Sequence, residues 1–265
     1  MVVRNAQRQR CGMHPIDSMR STGRWIALAI VVAGCHAVPP VDGADAEDPG
    51  DDPEDPGDAL PVVAAAGAAP ASLRDALVAE AHRELAAVAE SRYAHRTHVD
   101  EAAGVFDYDC SGFVGYALAR AAPMALQAVV QASRPRPLAK HFAAFFAQPV
   151  APWSRVARAK DLVAGDVIAW LEPPAKHSRN TGHVMIVDGA PHAGSRSGEL
   201  VVAVIDSSHS GHGAGDARNR GHASGLGTGA LVLLTGRDGE PVGYRWSTSR
   251  HSVAYRTQVA LGHLP

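Results

Sequence analysis

The chain changes its hydrophobic period once, and that change limits what it can fold into. Between Ser72 and Ala147 apolar residues return every three or four positions. Leu73, Leu77, Ala81, Leu85 and Val88 make one stripe; Cys110, Phe113, Val114, Ala117, Leu118 and Ala121 make another. Each is the buried face of an amphipathic helix. Ser72 followed by Asp75 is a start signal for the first helix, and Pro123 ends the second. Residues 92–108 read as loop. Beyond Pro135 and Pro137 a short helix runs from Leu138 to Ala147, its Phe142, Phe145 and Phe146 reading as core. Short strands then follow: Val167–Trp170, His183–Val187, Leu200–Ile205, Ala230–Leu234, Val242–Trp246 and Tyr255–Leu261. Gly236-Arg237-Asp238-Gly239 reads as the turn of a hairpin. Helices first and antiparallel strands afterwards define an α+β fold.

Charge segregation sets the domain limits. Of the 25 basic and 27 acidic residues, five arginines and one aspartate fall in residues 1–35. Nine acids and no Lys or Arg fall in residues 36–70, which leaves 20 basic and 17 acidic residues, a formal +3, for 71–265. Residues 36–71 are rich in Asp, Pro, Gly and Ala; such a segment buries no core and is expected to be a disordered, extended tether. The domain proper is then 72–265. A net charge of +3 gives no footing for a nucleic-acid partner.

The three cysteines divide by position. Trp25 to Val32 is an apolar run behind Arg20 and Arg24, too short to span a bilayer, and it leads into Val32-Ala33-Gly34-Cys35. This is the pattern of a bacterial lipoprotein signal, residues 1–35, in which Cys35 is lipidated. The expectation is an exported chain anchored to the membrane, on the periplasmic side of an outer membrane where the cell has one. Cys11 lies upstream, so Cys110 would be the one free thiol of the mature chain.

Cys110 stands in Tyr108-Asp109-Cys110-Ser111-Gly112-Phe113-Val114, a turn that opens the second helix. Asp109 or Ser111 can cap it, and Gly112 admits a close approach of chain or substrate. A thiol at a helix N-terminus lies at the positive end of the macrodipole, which favours the nucleophilic thiolate. Thiol catalysis also needs a base and a group that holds the base. His183 opens a strand whose same face carries Met185 and Val187. Asp206 ends the next strand, and a simple antiparallel pairing brings it beside His183. His209, three residues further on, is the alternative. His95/His98 and His209/His212, with His177, His192 and His222, raise the question of a metal site. No carboxylate or cysteine stands at a usual zinc spacing to them, so neither metal nor cofactor is expected.

In this order, Asp109-Cys110-Ser111-Gly112-Phe113, Leu162 with Gly165-Asp166-Val167-Ile168-Ala169-Trp170, and Gly182-His183-Val184 resemble the NlpC/P60 superfamily of papain-like cell-wall peptidases. The resemblance covers about residues 73–262. It implies a nucleophile helix packed on a small antiparallel sheet, Cys110 as nucleophile, His183 as base and Asp206 in the third position. It also implies an oxyanion hole that uses the Cys110 N–H, and a positioning tyrosine at Tyr93. The sequence departs from the family pattern in three ways. No Gly-Gly pair stands between Tyr93 and Cys110, the third residue is Asp rather than the commoner His, and the 188–200 and 207–229 loops are long. The implied activity is a thiol amidohydrolase acting on peptide amides of peptidoglycan. Other readings are an amidase or acyltransferase on a non-wall substrate, or a non-catalytic wall-binding lipoprotein. The lipoprotein reading predicts that intact-mass analysis of protein from a native-like membrane fraction finds the first mature residue to be an acylated Cys35; an unmodified N-terminus elsewhere in a soluble fraction refutes it.

Overall fold

The computed structural model describes residues 72–173, 180–220 and 224–265. The signal segment, the acidic tether, His177 and His222 lie outside them. Four helices precede the main sheet: α1 (Leu73–Ala87), α2 (Cys110–Ala121), α3 (Pro123–Ala132) and α4 (Ala139–Ala147). Ser72 Oγ caps α1 by accepting from the Asp75 N–H at 3.0 Å. Asp109 caps α2, its Oδ1 accepting from the Gly112 N–H at 2.6 Å. Pro123 ends α2 as the sequence implies, yet it also begins α3, which the periodicity did not reveal. A proline lacks only the N–H that the first turn of a helix leaves unpaired.

The strands are β1 (His98–Asp100), β2 (Val105–Asp107), β3 (Ser154–Arg155), β4 (Val167–Leu171), β5 (Gly182–Val187), β6 (His192–Ala193), β7 (Glu199–Ser208), β8 (Gly225–Thr235), β9 (Pro241–Arg245), β10 (Ala254–Arg256) and β11 (Val259–His263). Helices first and an antiparallel sheet afterwards is an α+β architecture. β1 and β2 form a small hairpin where a loop was expected; three-residue strands carry too little alternation to register in sequence. The main sheet runs β10-β9-β8-β7-β5-β4-β11-β3, with β6 paired to β7.

The expected single strand from Tyr255 to Leu261 is two strands. β10 pairs with β9, and β11 pairs with β4 and β3. Only Thr257 and Gln258 lie between them. Three Cα steps reach at most about 11 Å, whereas six strand spacings in a flat sheet span about 29 Å. The sheet must therefore curl until its two sides nearly meet. Curling gives it an inside and an outside. Val167, Ala169, Val184, Ile186 and Ile205 point outward into the core shared with the helices. Ile168, Trp170, Met185, Val187, Val204, Leu233 and Tyr244 fill the inside. Phe113, Val114, Ala117 and Leu118 of α2 are fully buried in the outer core, each large side chain there contributing about 1.5–3 kcal/mol.

Glu84 of α1 is fully buried in that outer core. The Tyr108 hydroxyl donates to its Oε2 at 2.6 Å, tying α1 to the turn before α2. Its Oε1 meets no hydrogen-bond partner among the described residues. Burial pushes the carboxyl up to about 8, against the opposing hydrogen bond from Tyr108. A folded state that keeps a proton the unfolded chain has lost grows less stable as pH rises. Stability is thus expected to fall between the ordinary value of 4.5 and about 8, by at most about 1.4 kcal/mol per pH unit. Urea melts of Glu84→Gln across that range should lack this component; parallel slopes in both proteins would show Glu84 ionised throughout.

Candidate active site

β5 and β7 are neighbours that separate at one end. They pair through Ile186↔Ile205 and Val187↔Val204, while both strands continue towards Gly182 and Ser208. The N-terminus of α2 enters the notch so formed. Ser207 Oγ donates to the Tyr108 carbonyl at 2.6 Å, and the Val184 N–H is directed at the Cys110 sulfur. Cys110 is 4% exposed. Burial pushes its thiol up, and the Asp109 carboxylate adds to this; the N–H groups of Val184 and Ser111 oppose it. The helix position alone suggested a favoured thiolate. In the folded chain loss of water outweighs the helix end, so the resting thiol holds its proton.

His183 is placed by Gly182, whose φ is +124° and whose absent side chain would meet the Trp170 carbonyl at 1.9 Å. No L-residue with a Cβ fits there. Across the ladder His183 stands opposite Trp170, and their rings lie 5.4 Å apart. The ring of Trp246 stands nearly perpendicular to that of His183, their centres 5.0 Å apart. His183 Nε2 lies 2.7 Å from Asp206 Oδ2. A carboxylate only accepts, so Nε2 carries the proton and Nδ1 is the ring nitrogen with a lone pair.

Asp206 is fully buried. Burial alone would raise its carboxyl, but Arg218, His212 and the His183 hydrogen bond hold it well below the usual carboxylate range. Arg218 Nη1 donates to Asp206 Oδ1 at 2.9 Å and to the Gly225 carbonyl at 2.9 Å. Its Nε and Nη2 clamp Asp216 at 2.8 and 2.7 Å. His212 Nε2 lies 3.1 Å from Asp206 Oδ2.

The other sequence candidates sit around this centre. Asp109 is the cap, and Ser111 donates to Asp109 Oδ1 at 2.8 Å rather than capping. Gly112 admits chain: a Cβ there would meet Thr97 Oγ1 at 2.8 Å. Burial would raise the Asp109 carboxyl, but His95, Arg136 and the Gly112 N–H hold it low. Arg136 Nη2 donates to Asp109 Oδ2 at 2.8 Å, and His95 Nδ1 lies 3.6 Å from the same oxygen. Tyr93 meets His95 and His209 edge-on, with ring centres 5.6 and 6.2 Å away. His209 is exposed against Tyr93, and the histidine of its loop that reaches Asp206 is His212.

His212, Asp216, Arg218, Trp246 and Arg136 were not read from the sequence as parts of this site. One signal pointed to the first three. Gly227 and Gly229 alternate along β8 and strip one face of side chains. Segment 211–218 lies in that trough: a Cβ on Gly227 would meet Arg218 Cγ at 2.8 Å, and one on Gly229 would meet His212 Cβ and Asp216 Oδ2 at 2.7 Å.

The site is thus a buried thiol on a helix start and a His–Asp pair, held in a curled α+β domain. The chain belongs to one family with uncharacterized protein R653 of Acanthamoeba polyphaga mimivirus, with 30% identity over 162 residues, 54% of this chain and 70% of that one. No family model and no solved structure matches the chain.

Arg218 joins two buried carboxylates. Removing it takes the guanidinium from both, at a cost of about 3–5 kcal/mol. Arg218→Ala should therefore show a large drop in denaturation midpoint, and Gly227→Ala a smaller one by displacing the Arg218 stem. A midpoint within experimental error of wild type in Arg218→Ala would show that the network bears no part of the stability.

Proposed function

We propose that the domain is a papain-like thiol amidohydrolase of the NlpC/P60 kind, hydrolysing peptide amides of peptidoglycan from a lipid anchor at Cys35. The observation that carries this reading is the 2.7 Å contact of His183 Nε2 with Asp206, at a notch that also holds the Cys110 sulfur beside the Val184 N–H. The sequence likeness supplies the substrate class. Asp206 fixes the tautomer that leaves Nδ1 as proton acceptor. His183 Nδ1 takes the thiol proton as sulfur attacks the amide carbonyl. The oxyanion so formed is met by the Cys110 N–H, one of the first N–H groups of α2, which lack a helical acceptor. The imidazolium then gives its proton to the departing amine, and the C–N bond breaks to leave a thioester. Water, deprotonated by His183, hydrolyses the thioester and releases the carboxylate. A thiol that is protonated at rest makes this proton transfer part of the attack.

The test is mass spectrometry of muropeptides released from purified sacculi. Cys110→Ala should keep the fold by circular dichroism and release nothing, and one equivalent of iodoacetamide at Cys110 should inactivate the wild type. Asp206→Asn should lose about 10²–10⁴ in kcat, whereas His209→Ala should stay within about tenfold, roughly 1.4 kcal/mol of barrier. Turnover surviving in Cys110→Ala would end the nucleophile assignment. The opposite ranking of Asp206 and His209 would remove the orienting role from Asp206.

A further inference from the structure

His212 is fully buried, and both of its ring nitrogens face acceptors. Nδ1 lies 2.8 Å from the Trp246 carbonyl. Nε2 lies 3.1 Å from Asp206 Oδ2. A carbonyl offers no proton. Nor does Asp206, whose Oδ1 takes a guanidinium N–H from Arg218 and whose Oδ2 already takes Nε2–H from His183. A neutral imidazole carries one N–H and would leave one of these two contacts as a pair of facing lone pairs. We infer that His212 is a buried imidazolium, a positioning residue that shares Asp206 Oδ2 with His183 and sets how much of that carboxylate's charge His183 receives.

Three further observations agree. The ring of Trp246 stacks on His212 with centres 4.1 Å apart at 27°, the face-on approach in which an aromatic ring attracts a cation. The His212 N–H donates to Asp216 Oδ2 at 2.7 Å, so a second anion lies close by. With His212 charged, Asp206 and Asp216 are balanced by Arg218 and His212, and the buried cluster is neutral before His183 takes a proton. The groups facing His212 are Asp206 of β7, with His183 of β5 behind it, Asp216 and Arg218 of its own loop, and Trp246 after β9. The β8 side brings Gly229 and no charge.

The inference deepens the hydrolase reading and rests on it for the kinetic consequence only. A cation on the far side of Asp206 opposes the gain of a proton at His183 and favours negative charge on Cys110. Removing it should move both limbs of the pH–rate profile to higher pH, by an amount a merely structural loss would not produce.

The protonation state is tested first, in the intact chain with ¹⁵N-labelled histidine. Nitrogen-detected ring resonances at pH 8, where a free imidazole is neutral, should show one histidine with both nitrogens protonated, and that signal should vanish in His212→Gln. A single protonated nitrogen on His212 at pH 8 overturns the inference, whatever the activity. If the two-proton signal is present and sacculi are untouched by wild type, the hydrolase reading fails and the imidazolium stands. For the positioning role, His212→Gln keeps a donor to Asp206 and loses the charge. It should lower kcat about tenfold and shift both limbs upward. A drop in kcat with unmoved limbs would make His212 a prop for the loop. Should His212→Gln fail to fold, Trp246→Phe, which keeps the backbone acceptor and weakens the stacking, should show a smaller upward shift; unmoved limbs there would equally overturn the role.

Discussion

A carboxylate with no exposed surface costs several kcal/mol to bury unless cations and N–H donors surround it, and Asp206 is such a group at the centre of this domain. Its neighbours account for much of the architecture around it. Arg218 and His212 must reach it, which requires segment 211–218 to lie on β8. That requires a strand face without side chains, and Gly227 and Gly229 provide it. Trp246 then closes the cluster, stacking on His212, donating from Nε1 to the Gly211 carbonyl at 3.0 Å and touching His183.

The thiol lies between two such arrangements. On one side Asp109 is held by Arg136 and His95. On the other Asp206 is held by Arg218 and His212. Each is a buried anion with an arginine and a histidine beside it. Asp109 fixes the start of α2, so its charge is needed where it disfavours a resting thiolate. The compensating cations reduce that effect without removing the cap. Under the proposed mechanism a buried thiol in this setting depends on His183 for its proton transfer, so the tautomer of His183 matters more than the helix end.

The curl of the sheet brings these parts together. Because β10 and β11 are separated by two residues yet lie on opposite sides of the sheet order, β9 and the Trp246 that follows it come round towards the ends of β5 and β7. An open sheet of the same strands would leave Trp246 and His212 without a common position.

Local pattern determined a good deal. The spacing of apolar residues marked α1, α2 and α4 and most of the strands, because amphipathic period is written residue by residue. The turn at Asp109-Cys110 and the strand that begins at Gly182-His183 were legible for the same reason. The approach of Asp206 to His183 followed from reading their two strands as antiparallel neighbours. α3 was hidden by a proline that both ends and begins a helix, and the early part of β8 by glycines that weaken any strand signal. What only the tertiary structure decided was which distant charges meet. Arg136 finds Asp109 across 27 residues and Trp246 accepts from His212 across 34. It also decided that Cys110 is buried enough to keep its proton. Those outcomes depend on desolvation and on the closing of the sheet, which are properties of the assembled core and leave no periodic trace in the chain.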